Sequence, residues 1–424
     1  MIEKRKISAL LTAFILLITL FTGCAVEVKP SENKPSTSDY LQQVDLSIVG
    51  VGLGLPTSAG DEALIRQFEK ESGTRVIIKR TAAGQDEASY LNYLDLLVNS
   101  DGLPDLIMFP SFADTYQKQY LYRLNDYLKE DEQFQELPQP LVAAVTVSDS
   151  IYALPLRYKM EGYFIRTADL KKQGLSVPSF GLSFTRFFST IKTLAKAGLV
   201  PAQTLYQIPY WYPASQKDDL AWCGYQNKAF RFTDPVFRDG VSYANQLYAA
   251  CPEQVSATPA IRYDSTQNLA ALKQAGFDAY LGIPGGKSVI DANYVGITRQ
   301  SGHKKEAFAL ARFLSHHPDG IQSRITAHAD ELTGIFPAAR SAKLLSGLSW
   351  YSFTGLSDAA DAIDEAFMLG GDILPEYQAA IEKRFLLSHD KTKVYSLEEV
   401  LRLAVSGELS FAKYAAELEE AIME

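Results

Sequence analysis

The residues best suited to hold a small polyhydroxylated molecule are grouped along the chain. Tyr210, Trp211, Tyr212 and Trp222 put two of the three tryptophans into one short segment. Indole and phenol faces stack on the apolar C–H face of a pyranose, and their polar tips stay free to hydrogen-bond. Polar and proline neighbours suggest a loop around Trp211; the alternative is an aromatic of the core. Further candidates are Thr57 and Ser58, Ser111 and Asp114, Arg157, Tyr158 and Glu161, then Gly285 and Tyr294. Asp114 and Glu161 would accept hydroxyls or hold an ammonium group, unless they are a helix cap and a surface charge. Arg157 would clamp a carboxylate or phosphate, or else pair with a surface acid.

These residues share a place in an alternating pattern. Val44–Val49 reads as a strand, followed by the Gly-rich stretch 50–60 and a helix that Asp61 caps, running to Ser72. Arg75–Lys79 is the next strand, 87–100 an amphipathic helix, and Pro104–Phe109 a strand apolar throughout, as in parallel sheets covered on both faces. The segment 151–158 is extended, 162–165 continues as strand, and 183–198 is a helix with Phe184, Phe187, Phe188, Ile191 and Leu194 on one side. Residues 199–235 read as irregular, 239–250 as helix, 278–286 as a strand running into a loop, 293–298 as strand and 304–316 as helix. The remainder is mainly helical. Strands alternating with helices imply an α/β fold with mainly parallel sheets. Open sheets of this kind bind ligands beyond the C-terminal ends of their strands. That rule selects the candidates at 57–58, 111–114, 157–161 and 285.

Other chemistries lack their patterns. Gly50, Gly52 and Gly54 alternate, but G-x-G-x-x-G fails at Leu55 or Thr57. Gly282–Ser288 ends in Gly-Lys-Ser, yet the glycine a P-loop needs is Leu281, and Pro284 removes an N–H. There is no G-x-S-x-G and no H-E-x-x-H. His316 and His317 are adjacent and so point to different sides of a helix; they suit a helix C-terminus better than a metal. The carboxylates form no pair for glycoside hydrolysis. We therefore expect no catalytic residues, no metal and no cofactor.

The N-terminus has an export pattern. Lys4, Arg5 and Lys6 precede the uncharged run Ile7–Phe21, which is shorter than the ~20 residues of a membrane span. Phe21-Thr22-Gly23-Cys24 resembles a bacterial lipobox. Residues 1–23 are then a lipoprotein signal peptide, Cys24 is acylated and held in membrane lipid, and 24–43 is a flexible tether. The net charge of −9, less the +2 of residues 1–23, leaves −11. That balance argues against nucleic-acid binding. Cys223 and Cys251 remain, and an exported setting permits a disulfide between them or two free thiols.

Seven phrases in order carry a family likeness: Phe68-Glu69-Lys70 through Val76, Pro104-Asp105-Leu106-Ile107, Leu121–Tyr127, Ile151-Tyr152-Ala153-Leu154-Pro155, Tyr163–Leu170, Lys305–Leu314 and Phe336-Pro337-Ala338. With the lipobox they resemble the family 1 extracellular solute-binding proteins, the maltose-binding-protein-like receptors of ABC importers. The match is weakest over 199–295. The resemblance implies a monomeric two-lobe α/β receptor whose lobes close over a ligand at a hinge crossed about three times. Lobe 1 would hold 44–150 and 290–337, and lobe 2 would hold 151–289 and 338–424. The implied ligand is a carbohydrate or sugar-derived molecule, and the implied partners are permease subunits. Two other readings stay open: an extracytoplasmic enzyme acting on envelope glycans, and a ligand sensor for a membrane kinase.

Overall fold

A computed structural model describes residues 44–50, 59–79, 87–100, 102–216, 223–224, 229–252, 256–338, 345–368 and 383–423. Cys24, Thr57, Ser58 and Trp222 lie outside them.

Among the described residues nine strands make one sheet. Strands β1 (Asp45–Gly50), β2 (Arg75–Ile78) and β3 (Leu106–Phe109) are its parallel part, with β1 between the other two. Helices α1 (Ala59–Ser72) and α2 (Glu87–Asn99) make the crossovers. Leu46, Ile48, Leu106 and Ile107 are fully buried, which fits a parallel sheet with both faces covered.

Beyond β3 the sheet changes character. The long strand β4 (Leu154–Ile165) lies next to β7 (Val289–Ile297), and β7 runs antiparallel to both β3 and β4. β5 (Ile261–Ser265), β6 (Ala279–Gly282) and β8 (Phe336–Pro337) all pair antiparallel with β4, and β9 (Phe367–Met368) pairs parallel with β7. Parallel pairing is therefore limited to β1–β3 and the short β7–β9 contact, and the rest of the sheet is antiparallel where the sequence led us to expect mainly parallel strands. Ile151 pairs separately with Thr146, and β4 joins residues 154–158 of the first expected segment to 162–165 through Gly162. A Cβ there would come within 2.8 Å of the Gly282 backbone on β6.

The sheet divides the apolar interior. Tyr158, Met160 and Phe164 of β4 belong to a first core built on β1, β3, α1, α2 and residues of 290–366. Tyr163 and Ile165 belong to a second core, with helices α5 (Phe184–Lys196), α6 (Ile208–Gln216) and α7 (Pro235–Tyr248). A third forms from Phe232, Phe237, the hairpin of β10 (Phe385–Leu387) and β11 (Asp390–Tyr395), and the last two helices, Leu397–Ser406 and Phe411–Met423. Helix α6 corrects the irregular reading of 199–235. Pro209 falls in its first turn, where the missing N–H costs nothing, while Pro213 lies inside it. The burial of Ile208, Trp211 and Tyr212 outweighs the bond that Pro213 cannot make.

Candidate functional site

On β4, Arg157, Lys159, Glu161 and Tyr163 occupy alternate positions and so share one face. Register puts Asn293 and Asp291 of β7 beside Arg157 and Lys159, and Ser265 and Tyr263 of β5 beside Glu161 and Tyr163. The two ends of this row are sealed, and its middle is not.

At the first end Arg157 meets Asp61 of α1 at 2.8 Å, and Arg324 of helix α9 (Pro318–His328) pairs with the other oxygen of the same carboxylate. All three side chains are almost wholly buried. Burial alone would raise the Asp61 carboxyl; the charges and hydrogen bonds of Arg324 and Arg157 more than reverse this, and it lies below the usual carboxylate range. Arg157 is thus a structural cation rather than a ligand clamp. Asp61, expected as a helix cap, sits within the first turn of α1 and ties it to β4.

At the other end Tyr163 donates its hydroxyl to Thr204 O at 3.3 Å and accepts the Trp211 indole N–H at 2.9 Å. Trp211 is 0% exposed and meets Tyr163 and Phe187 edge-on. Tyr212 is buried against Phe184, with ring centroids 4.6 Å apart. Trp211 is enclosed and Tyr212 nearly so, which favours the core reading of both over the stacking one: amphipathic aromatics also fill cores when their polar tips find partners. Tyr210 is half-buried against the third core. Tyr158, stacked on Phe336, and Tyr294, packed on Phe109 and Phe112, are buried in the first core.

The middle of the row combines charge with partial exposure. Lys159 Nζ lies 2.9 Å from Asp291 Oδ2 and donates to Gln267 Oε1 at 3.2 Å. Glu161, half-buried, accepts one long hydrogen bond from the Tyr263 hydroxyl at 3.4 Å. Burial, then the charge of Asp291, raises its carboxyl above the ordinary range. An acid held in this way favours a neighbour that brings N–H or O–H donors. Lys159, Tyr263 and Asp291 were not singled out from the sequence. Charges at every second position of an otherwise apolar strand, Arg157-x-Lys159-x-Glu161, were the signal available, whereas Tyr263 and Asp291 arrive only through strand register.

The remaining candidates are apart from the row or serve the backbone. Ser111 caps helix α3 (Phe112–Gln117) by accepting from Asp114 N, and its hydroxyl donates to Asp114 Oδ2 at 3.1 Å. The pair therefore makes a helix cap. Gly285 is exposed in a tight turn in which Ile283 N bonds Lys287 O at 2.9 Å. Gly282 opens that turn at φ +64°, and a Cβ there would fall 2.3 Å from Lys287 O. Cys251 is a free, half-buried thiol directed at Leu247 O and Val200 O, and the side chain of Cys223 lies outside the described residues. Among the described residues no cluster of three metal-ligating side chains occurs, and no helix is long and apolar enough to cross a membrane.

Residues 63–350 match the family described as bacterial extracellular solute-binding protein. The chain belongs to that family. No curated protein sequence matches it. Solved structures share its fold. The sugar-binding protein MalE of Xanthomonas citri is 15% identical with a TM-score of 0.69, over 90% of this chain and 96% of that one. The cyclic alpha-maltosyl-1,6-maltose binding protein of Arthrobacter globiformis is 14% identical with a TM-score of 0.67, over 90% and 98%. An ABC substrate-binding protein of Listeria monocytogenes, solved with cycloalternan, is 13% identical with a TM-score of 0.61, again over 90% and 98%. The solute-binding protein thus has the two-lobe α/β fold of these structures, and its family places it outside the cytoplasm.

Proposed function

We propose that this solute-binding protein is the receptor of an ABC importer for a carbohydrate or sugar-derived ligand, and not an enzyme. Acylated Cys24 holds it on the outer face of the membrane, from which it passes the ligand to the permease. Lobe 1, of 44–150 and 290–337, closes on lobe 2, of 151–289 and 338–424, about crossings at the entry of β4, at β7 and after β8. The observation that carries the ligand class is the half-exposed Lys159–Asp291–Gln267 and Glu161–Tyr263 set on β4, β7 and β5. It offers both acceptors and a cation, as a ring of hydroxyls requires, and its acid disfavours an anionic ligand. The sugar-binding proteins that share the fold support the same reading.

Thermal-shift titration with linear and cyclic malto-oligosaccharides, monosaccharides, a polyamine and a peptide tests it. A ligand at 100 times its Kd stabilises the folded chain by about 2.7 kcal/mol. A sugar should shift the wild type, and Glu161→Gln should weaken that sugar at least about tenfold, the equivalent of ~1.4 kcal/mol. A shift with the polyamine or peptide alone refutes the carbohydrate class. An unchanged sugar affinity in Glu161→Gln refutes the site.

A further inference from the structure

Along one edge of β4 the neighbouring strand changes. β7 follows the opposite edge; on this one β8 pairs at Arg157 and Tyr158, and β5 pairs from Glu161 to Ile165. Met160 falls between them. Ala338 N bonds Leu156 O, and Phe336 stands opposite Tyr158, so antiparallel register makes Gly334 and Met160 the next bonding pair. Their link runs through a side chain instead. Met160 N donates to Thr266 Oγ1 at 3.0 Å, and the Thr266 hydroxyl donates to Gly334 O at 2.5 Å. An amide N–H can only donate and a carbonyl can only accept, so the hydroxyl has a single orientation. Thr266 is the residue after β5 and is 0% exposed. Gly334, at φ +71°, approaches so closely that a Cβ there would lie 1.8 Å from Thr266 O.

We propose that the Thr266 hydroxyl links the two lobes at this change of neighbour and is a positioning residue for the row Lys159–Glu161. This rests on the lobe division and the site proposed above, and not on which sugar binds. Met160 and Thr266 belong to lobe 2 and Gly334 to lobe 1, so one hydroxyl spans the junction where β8 has ended and β5 has not begun. Met160 is itself the residue between Lys159 and Glu161. The turn that delivers the hydroxyl, Thr266–Asn268, also carries Gln267, whose Oε1 accepts from Lys159 Nζ, and its cap Ser265 stands opposite Glu161. Both half-exposed groups are thus held from one short segment. The entry of β4 is fixed separately. The Ser315 hydroxyl donates to Pro155 O from the end of helix α8 (Lys304–Ser315), whose C-cap is His316, as the sequence suggested. Arg312 of α8 lies 2.9 Å from Asp131, the N-cap of helix α4 (Glu132–Gln135). Burial would raise the Asp131 carboxyl, but the His316 ring, Arg312 and the Phe134 N–H bring it to about 2.

Thr266→Val keeps the branched shape and removes both bonds, whereas Thr266→Ser keeps the hydroxyl; Thr266→Ala replaces the first variant if it fails to fold. Hydrogen exchange of the full chain reads the link. The Met160 amide should exchange at least about tenfold faster in Thr266→Val and within about threefold of wild type in Thr266→Ser, while the β10–β11 hairpin is unchanged. Titration calorimetry with the malto-oligosaccharides and monosaccharides reads the positioning. Affinity should fall at least about tenfold in Thr266→Val and return in Thr266→Ser, a rescue that follows the hydroxyl rather than side-chain volume. Unaltered exchange at Met160 overturns the link. Faster exchange with unchanged sugar affinity overturns the positioning role. A wild type that binds none of the sugars refutes the carbohydrate reading instead, and the link is then decided by exchange alone.

Discussion

Asp61 joins three elements, and its removal tests whether Arg157 serves the fold or a ligand. Asp61→Asn keeps the shape of the side chain but deletes the charge between Arg157 and Arg324, both almost wholly buried. Two guanidiniums that shared one carboxylate then lose their common counter-charge in a buried site. Breaking buried ion pairs typically costs about 3–5 kcal/mol, because the stranded charge keeps its desolvation penalty. Arg157→Met, by contrast, leaves Asp61 neutralised by Arg324, and its cost should stay near 2 kcal/mol, the loss of one charged hydrogen bond. Urea unfolding is the assay, followed by tryptophan fluorescence and by far-UV circular dichroism in parallel, because the separate cores need not melt together. The expected order is Asp61→Asn well above Arg157→Met, with ligand affinity in Arg157→Met within about twofold of wild type. A cost below about 1 kcal/mol for Asp61→Asn, or the reverse order, refutes the buried triad. Normal stability with lost ligand binding in Arg157→Met would restore Arg157 to the site.

Two further outcomes follow from the same geometry. Trp211→Phe removes the indole donor from Tyr163 and leaves a void in the second core; it should cost about 1–3 kcal/mol in urea unfolding while ligand affinity in titration calorimetry is unchanged, and a stable variant that binds no sugar would return Trp211 to the pocket. Asp131 titrates at about 2 when folded against 3.8 when unfolded, so it stabilises the fold fully above the unfolded value and that contribution is lost as pH falls through about 2. Asp131→Asn should therefore cost about 2 kcal/mol at neutral pH and almost nothing near pH 2, and a pH-independent difference between the two proteins would refute the assignment.

The parallel half of the sheet was legible in the sequence because its signals are local. Val44–Val49, Arg75–Lys79 and Pro104–Phe109 are apolar runs bounded by turn residues, and they appear as β1–β3 within two residues. Helices α5 and α8 likewise follow from apolar periodicity, at 184–196 and 304–315. What failed was whatever depended on the partner strand. Nothing local marks β4 and β7 as antiparallel neighbours, and so nothing local places Asp291 beside Lys159 or Tyr263 beside Glu161.

The aromatics and the charges make the same point from opposite directions. Trp211 was singled out because Pro209 and Pro213 flank it, yet proline near a helix start permits the helix that buries it. Its indole carries enough apolar area to decide the local fold, and a residue that decides packing is poorly placed to face a ligand. Glu161 contributes no packing of that kind: its carboxyl sits half-buried beside Asp291 with one weak hydrogen bond. A strand keeps such a group only at a net cost to stability unless something outside the fold completes it. That cost, rather than the abundance of aromatic residues, is the reason we propose the middle of β4 as the ligand site of this solute-binding protein.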